Sequence, residues 1–337
     1  MDNLCHTLAG AALGEAGLKR RTALGMGTLL IASNLPDIDV AVFATDTVWM
    51  SFRRGWTHGV LAMVVLPALL AGLMLAFDRL RNLRSGGSSA FAPSPADRRS
   101  LGGGWLDPPA GRRAHLRSLL LLAYLGTSIH VFMDFLNSYG VRLLMPFSNR
   151  WFYGDALYII DPVLYLVFGV AFAAARVMAR RNHPAPWRPA RIGLALAGAY
   201  VVVMLTSNLW AREVVRDGLS RAGRSPDTRF MVTPVFGNPL RREVIVETGD
   251  RYEKGLVWFE PQPHFRPAGF GVDINQSDPA VRQAIQTPPF QAFLRWSRFP
   301  FYVIERTATY TRVHLNDYRY SSGSGRDGWA AMVAEVP

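Results

Sequence analysis

Four runs of about 20 apolar residues fall within the first 210 positions of this 337-residue chain, and nothing else constrains its fold as strongly. They lie at about 59–77 (GVLAMVVLPALLAGLMLAF), 117–137, 157–175 and 192–210. Roughly 20 apolar residues are what a helix needs to cross a bilayer's hydrocarbon core, so each run reads as a transmembrane helix. Segments 3–17 and 22–43 are also apolar, though short or interrupted, and they bring the expected number of membrane helices to about six. Beyond residue 210 the composition turns polar. Two domains follow, a helical membrane domain over 1–210 and a soluble domain over 211–337. Between them in character stands loop 85–115, whose Gly, Ser and Pro without periodicity predict a flexible linker.

Charge supplies the orientation. Loops 18–22, 78–117 and 176–191 hold sixteen Lys and Arg, whereas loops 44–58 and 138–156 hold only Arg53, Arg54, Arg142 and Arg150. Basic loops stay in the cytoplasm, which places the second group and the C-terminal domain outside a bacterial inner membrane. The net charge of +12 is thus accounted for beside the membrane spans, and nucleic acid is not expected as a partner. Membrane lipids are, with a small or lipid substrate. A single cysteine, Cys5, excludes an intrachain disulfide and a cysteine-based metal site. The acidic start Met1-Asp2-Asn3 predicts that no signal peptide is cleaved.

Ionisable side chains inside membrane segments are costly, and they point to function. Here they are His6, Asp37 and Asp39 in NLPDIDV, His58 in RRGWTHG, and His130 with Asp134 at i, i+4 on one helix face. Asp155 and Asp161 precede the next helix. If segments 3–17 and 22–36 form an antiparallel hairpin about the basic turn, His6 falls opposite residue 35, beside Asp37 and Asp39. Pro36 would end or kink the second arm there. All these groups then meet in the outer leaflet. Two or three His with two or three Asp suit a divalent cation, Zn²⁺ first, with Mn²⁺ or Mg²⁺ as alternatives. His6, Asp37, Asp39, His58, His130 and Asp134 are the candidate ligands. A metal would activate water. Asp39 or Asp134 would serve as general base or ligand, and Arg54 would stabilise an anionic transition state. His115, His183, His264 and His314 read as surface residues. Taken singly, His130 and Asp134 could equally be a structural helix pair, and Arg53 and Arg54 could be anchors to lipid phosphates.

Several stretches resemble the YdjM-like family of inner-membrane metal-dependent hydrolases. They are MDNLCHTLAGAALGEAG, NLPDID, RRGWTHG and HVFMDFLNSYGVRLLMPF, with WFYGDALYIIDP, FLRWSRFP and LNDYRY further on. The resemblance implies a divalent-metal site and a hydrolase. The same six His and Asp residues fall on the family's pattern. Where members often carry His-Arg-Gly before the Thr-His, this chain has Arg53-Arg54-Gly55, one candidate ligand fewer.

Residues 222–337 alternate over RREVIVE, KGLVWFE, FYVIERTATYTRVHL and GWAAMVAEV, with turn residues between them. They predict a small antiparallel β domain with one short helix near 279–296. Trp258, Phe259, Trp296 and Phe299 read as its core. Arg295, Arg298, Asp317 and Arg319 form either an ion-pair network or an extension of the membrane site. Two function classes therefore stand: a membrane-bound metal-dependent hydrolase, and a non-enzymatic membrane protein with a structural metal and a partner-binding outer domain. Transport is disfavoured, because no internal repeat is visible and the polar set lies off the midplane.

Overall fold

A computed structural model describes residues 1–45, 47–85, 113–321 and 330–336. The linker expected over 85–115 lies almost wholly outside the described residues, as does most of the SSGSGRDG turn. The chain divides into two compact units, Met1–Val40 with Arg54–Val203, and Ala41–Arg53 with Met204–Pro337.

The first unit is helical. It begins with α1 (Asn3–Glu15), capped by the Asp2 side chain, a 3-10 turn (Leu18–Arg21) and α2 (Gly25–Ala32). A second 3-10 segment (Leu35–Ala44) starts where α2 breaks. Then come α4 (Val60–Ser85), α5 (Leu116–Phe135), α6 (Pro162–Arg180) and the first half of α7 (Arg188–Arg221). The label α3 belongs to a short turn, Trp49–Phe52, in the other unit.

Among the described residues, four helices are long and apolar enough to cross a membrane: Val60–Leu83, Leu116–Phe135, Pro162–Arg180 and Arg188–Arg221. The pair Gly25–Ala32 and Leu35–Ala44, bent by 48°, makes five if counted as one span. The expected count of about six is not reached among the described residues, and α1 is where it falls short. Its 13 residues reach only about 20 Å at ~1.5 Å per residue, short of the roughly 30 Å hydrocarbon core. It ends at Gly17, whose φ of 121° few other residues adopt. The bend after α2 has an equally local cause, since Pro36 has no N–H to continue an α-helical ladder.

Close packing of α1, α2 and α5 depends on two glycines. A Cβ on Gly10 would meet Ser33 Oγ at 2.5 Å and Leu29 O at 3.0 Å, and one on Gly126 would meet Ala32 Cβ at 2.7 Å. At one end of this unit the basic segments gather. Arg176 lies 3.5 Å from Glu15, and Arg191 Nε donates to Ala16 O at 3.0 Å. Ala114 N donates to Asp78 Oδ2 at 3.0 Å and His115 N to Thr22 Oγ1 at 2.8 Å. The ends of α1, α4 and α6 thus share one level with the starts of α5 and α7.

The second unit contains two antiparallel sheets. The first has the order β1 (Phe230–Val235), β2 (Asn238–Thr248), β3 (Arg251–Trp258), β4 (His264–Asp273). The second has β5 (Pro300–Arg306), β6 (Thr311–Asp317), β7 (Ala331–Val336). Ala211, Val214, Val215 and Leu219, from the second half of α7, pack on Val232, Val244, Val246 and Val257 of the first sheet. Arg242, fully buried in β2, donates to Met204 O at 3.0 Å and ties the sheet to the same helix. Tyr252, Phe299, Phe301 and Tyr318 join the two sheets in a second core. The single helix expected near 279–296 is two, α8 (Pro279–Ala284) and α9 (Pro288–Trp296), because Pro288 and Pro289 supply no N–H to carry α8 onward. Trp296 and Phe299 are buried core, whereas Trp258 is only half-buried beneath Arg241. α3 packs on α9, so segment 41–53 belongs to this unit although its neighbours in sequence do not.

Candidate metal centre

Each polar side chain of the first unit is placed by a local feature. Asp37 stands in the first turn of the 3-10 segment, whose Asp37 N–H returns to Asn34 O at 3.1 Å. His58 sits in the turn before α4, closed by its own N–H to Gly55 O at 3.1 Å. His130 and Asp134 share the buried face of α5. His6, on α1, stacks on the His130 ring with centroids 3.8 Å apart. All five side chains are buried.

Asp37, His58, His130 and Asp134 each offer one ligand atom, and these atoms lie within 4.8 Å of one another. His58 Nε2 is 3.2 Å from His130 Nε2 and 3.2 Å from Asp134 Oδ2. His130 Nε2 is 3.6 Å from Asp134 Oδ2. Asp37 Oδ1 closes the group at 4.0 Å from His58 Nε2 and 3.9 Å from His130 Nε2. Four ligands held tetrahedrally at ~2.0–2.1 Å from a zinc ion would stand roughly 3.3 Å apart. The three edges among His58, His130 and Asp134, at 3.2, 3.2 and 3.6 Å, are within a few tenths of an ångström of that value, and Asp37 stands further out at 3.9 and 4.0 Å.

The surroundings fix what those nitrogens present. His130 Nδ1 lies 2.7 Å from Ser33 O, which can only accept. The Nδ1 therefore carries the proton, and neutral His130 turns a bare lone pair inward at Nε2. His58 Nδ1 is 3.0 Å from Thr57 Oγ1, and that hydroxyl donates onward to Asp39 Oδ2 at 3.2 Å. This chain likewise holds a proton on His58 Nδ1, so that neutral His58 turns a lone pair inward at Nε2. With both imidazoles neutral, two lone pairs 3.2 Å apart beside two carboxylates repel unless a proton or a metal cation lies among them. The donor set fits a divalent metal on chemical grounds.

Not every expected site residue belongs to that group of four. His6 Nε2 is 3.3 Å from the other oxygen of Asp134, Oδ1, which also contacts the Met1 amino group. Asp39 stands behind His58, where it accepts from Arg54 N–H at 2.7 Å as well as from Thr57. Arg54 is held by several partners. Its Nε lies 2.9 Å from Asp134 Oδ2, Nη1 donates to Asn137 Oδ1 at 2.9 Å, and Nη2 donates to Met1 O at 3.1 Å. Its guanidinium lies over Tyr139 at 4.7 Å. Asp161 caps α6 and accepts from Tyr200 at 3.0 Å. His115, His183 and His264 are exposed, but His314 is buried in β6 at 8 %, a correction to its reading as a surface residue. Alternation puts it on the face opposite Val313 and Leu315, and it is buried because β6, the central strand of its sheet, is covered on both faces from Val313 to Asp317. Arg319 pairs with Asp317 inside the C-terminal unit. Sequence reasoning missed Ser33, Thr57 and Asn137.

Apolar helices of membrane-crossing length around a buried His/Asp cluster define a membrane protein with a candidate metal centre. The family model described as YdjM inner membrane protein matches residues 1–211, and the chain belongs to that family. The match takes in every member of the cluster. The chain is also similar to the uncharacterized protein YfhP of Bacillus subtilis (strain 168), 25% identical over 186 residues. That alignment covers 51% of this chain and 46% of YfhP, so the chain spans about half of that relative's length. No solved structure matches it.

Proposed function

We propose that the protein is a membrane-bound, metal-dependent hydrolase working at the outer face of a bacterial inner membrane, on a phosphoester or ester of a lipid. The observation that carries the reading is the pair of inward imidazole lone pairs, 3.2 Å apart and flanked by Asp37 and Asp134. Asp37, His58, His130 and Asp134 would hold the cation, with zinc the best match to two nitrogens and two oxygens. His6 and Asp39 are the further members of the proposed ligand set, the first on the far oxygen of Asp134 and the second behind His58. When bound, such a cation lowers the pKa of water to about 7 and so supplies a hydroxide nucleophile.

The chain's own residues do the positioning. Ser33 O and the Thr57–Asp39 relay set the tautomers of His130 and His58. Arg54 holds the Asp134 carboxylate in place. Of the two carboxylates considered as general base, Asp134 is the one inside the cluster. The gathering of basic segments at the opposite end supports an outward-facing centre and an extracytoplasmic C-terminal domain.

A second reading is a structural metal clamp in a non-enzymatic protein. It is favoured by the number of ligands, since four protein ligands can close a tetrahedral site that a catalytic metal leaves open. Metal analysis of the purified protein, with His58→Ala beside it, tests what the two readings share. Wild type is expected to carry near-stoichiometric metal and the variant little; full occupancy in the variant would sink the site. A panel of phospholipids and phosphoesters then separates the readings. Metal-dependent turnover supports the hydrolase, and inert but fully metallated protein supports the clamp. Protease added to sealed, right-side-out spheroplasts should reach the C-terminal domain.

A further inference from the structure

Asn137 closes the end of α5, three residues beyond Asp134, and is fully buried. Its Oδ1 accepts three hydrogen bonds, from Arg54 Nη1 at 2.9 Å, Tyr139 N at 2.9 Å and Gly140 N at 3.4 Å. All three partners are N–H groups that can only donate. The atom they face must be the oxygen, and the amide cannot flip. The Nδ2 group is thereby fixed with two N–H donors, and it has no hydrogen-bond partner among the described residues. A buried amide donor without an acceptor is expensive to keep. Its neighbourhood says what it is kept for. One guanidinium, that of Arg54, reaches Asp134 Oδ2 through Nε and Asn137 Oδ1 through Nη1, so the orphaned amide is braced by the same side chain that braces a candidate metal ligand.

We propose that Asn137 is a catalytic residue whose Nδ2 donates to a non-bridging oxygen of a phosphoryl group held beside the metal centre. Rigid neutral donors, Asn side chains among them, stabilise charge that grows on such an oxygen, and they need no reorganisation to do so. Arg54, whose donors serve Asp134, Asn137 and Met1, is then a positioning residue. This assignment narrows the substrate to a phosphoester. It rests on the hydrolase reading for its reaction, but not for the binding of an anion.

The test uses the full chain in phosphate-free detergent, loaded with zinc, and inorganic phosphate as the probe. Asn137→Asp keeps an acceptor for Arg54, Tyr139 and Gly140 and removes both donors. Asn137→Ala removes donors and acceptor alike without adding charge. Calorimetric affinity for phosphate is expected to fall at least tenfold in both, with zinc content retained. On any phosphoester that wild type turns over, kcat should drop by about 10²–10³, the usual effect of deleting one such donor, with KM changed far less. A purely structural asparagine would instead be rescued by Asp. Wild-type affinity or turnover in Asn137→Asp overturns the proposal. So does unchanged phosphate affinity in Asn137→Ala, which would leave only charge repulsion in the Asp variant. Zinc-loaded wild type that binds no phosphate overturns it as well. Protein that takes up no zinc but binds phosphate through Asn137 would defeat the hydrolase reading and leave the anion site standing.

Discussion

Asp134 and Asp317 are both fully buried carboxylates, one in each unit, and they are surrounded in opposite ways. Asp317 Oδ1 accepts from Arg319 N and Nε, both at 2.9 Å. Its Oδ2 accepts from Ser297 Oγ at 2.6 Å, Arg298 N at 2.8 Å and Arg319 Nη2 at 2.9 Å. One cation balances one anion there, and every neighbour is a donor. Arg319 then reaches Trp296 O at 3.3 Å and lies over the Trp296 and Tyr320 rings, which staples α9 to β6. Around Asp134, imidazole nitrogens with inward lone pairs stand among the neighbours, and a buried amide donor nearby is left without an acceptor. The first arrangement is closed and explains itself as structure. The second sets Asp37 and two imidazoles beside Asp134 in addition to its contacts with Arg54 and the Met1 amino group, a set that could hold a metal ion.

Deleting the first carboxylate should produce the largest effect. Asp134→Ala takes away the carboxylate that pairs with the buried Arg54 guanidinium, which typically costs 3–5 kcal/mol, on the order of half of a domain's stability. Detergent-solubilised protein should unfold at a markedly lower temperature and lose its metal together. A variant that keeps both would erase the distinction drawn above.

Asp317→Asn should cost less, about 1.5–3 kcal/mol for hydrogen bonds that lose their charged acceptor, and should leave metal content untouched. Its pH dependence has a definite sign. Burial pushes the Asp317 carboxyl up, but Arg319 and the hydrogen bonds from Arg319 and Ser297 outweigh burial and hold it below the ordinary 3.8. A depressed carboxylate contributes stability in full above its unfolded value and loses it as pH falls through the folded one. The gap in melting temperature between wild type and Asp317→Asn should thus be constant near neutrality and shrink only below about pH 3.8. A gap that persists unchanged in acid would mean the staple is not electrostatic.

The smallest effect belongs to Thr57→Val, which keeps the side chain's shape and cuts the relay from His58 to Asp39. Supporting shells of this kind tune metal affinity by 10–100-fold, and the lower figure suits a residue only part-buried. Competition with a chromophoric chelator would measure it. Affinity equal to wild type would show that Asp39 acts on the backbone of Arg54 alone.

How much of this was legible in the sequence varied with the physical signal. Hydropathy located the four long helices, and the Asn34–Pro36 break announced the bend after α2. The i, i+4 pair His130 and Asp134, with His58 and Asp37, could be brought to one place from helix lengths and loop charges alone. The supporting groups could not. Ser33 acts through its carbonyl oxygen, which every residue has, and Thr57 and Asn137 are ordinary polar residues until their partners are placed. The charge of Arg54 is readable, and so were its roles as an anion binder or a lipid anchor, but its three partners are not. Two strands of the first sheet are less legible than the rest. β1 contains Pro234 and β4 contains Pro267, and prolines argue against a strand except at an edge, where both of these lie.

The chain leaves the first unit after Val40, packs as segment 41–53 within the C-terminal unit, and re-enters at Arg54, whose N–H is bonded to Asp39 just before the departure. The two units are therefore interleaved along the chain, and no single scission can part them. A protein trimmed to the 211 residues that carry the family's pattern would keep this excursion and lose the helix it rests on. Any relative without a C-terminal domain must shorten the excursion or cover it by other means. Chain length in the family should thus vary in step at two places far apart in sequence, between Asp39 and Arg54 and beyond α7.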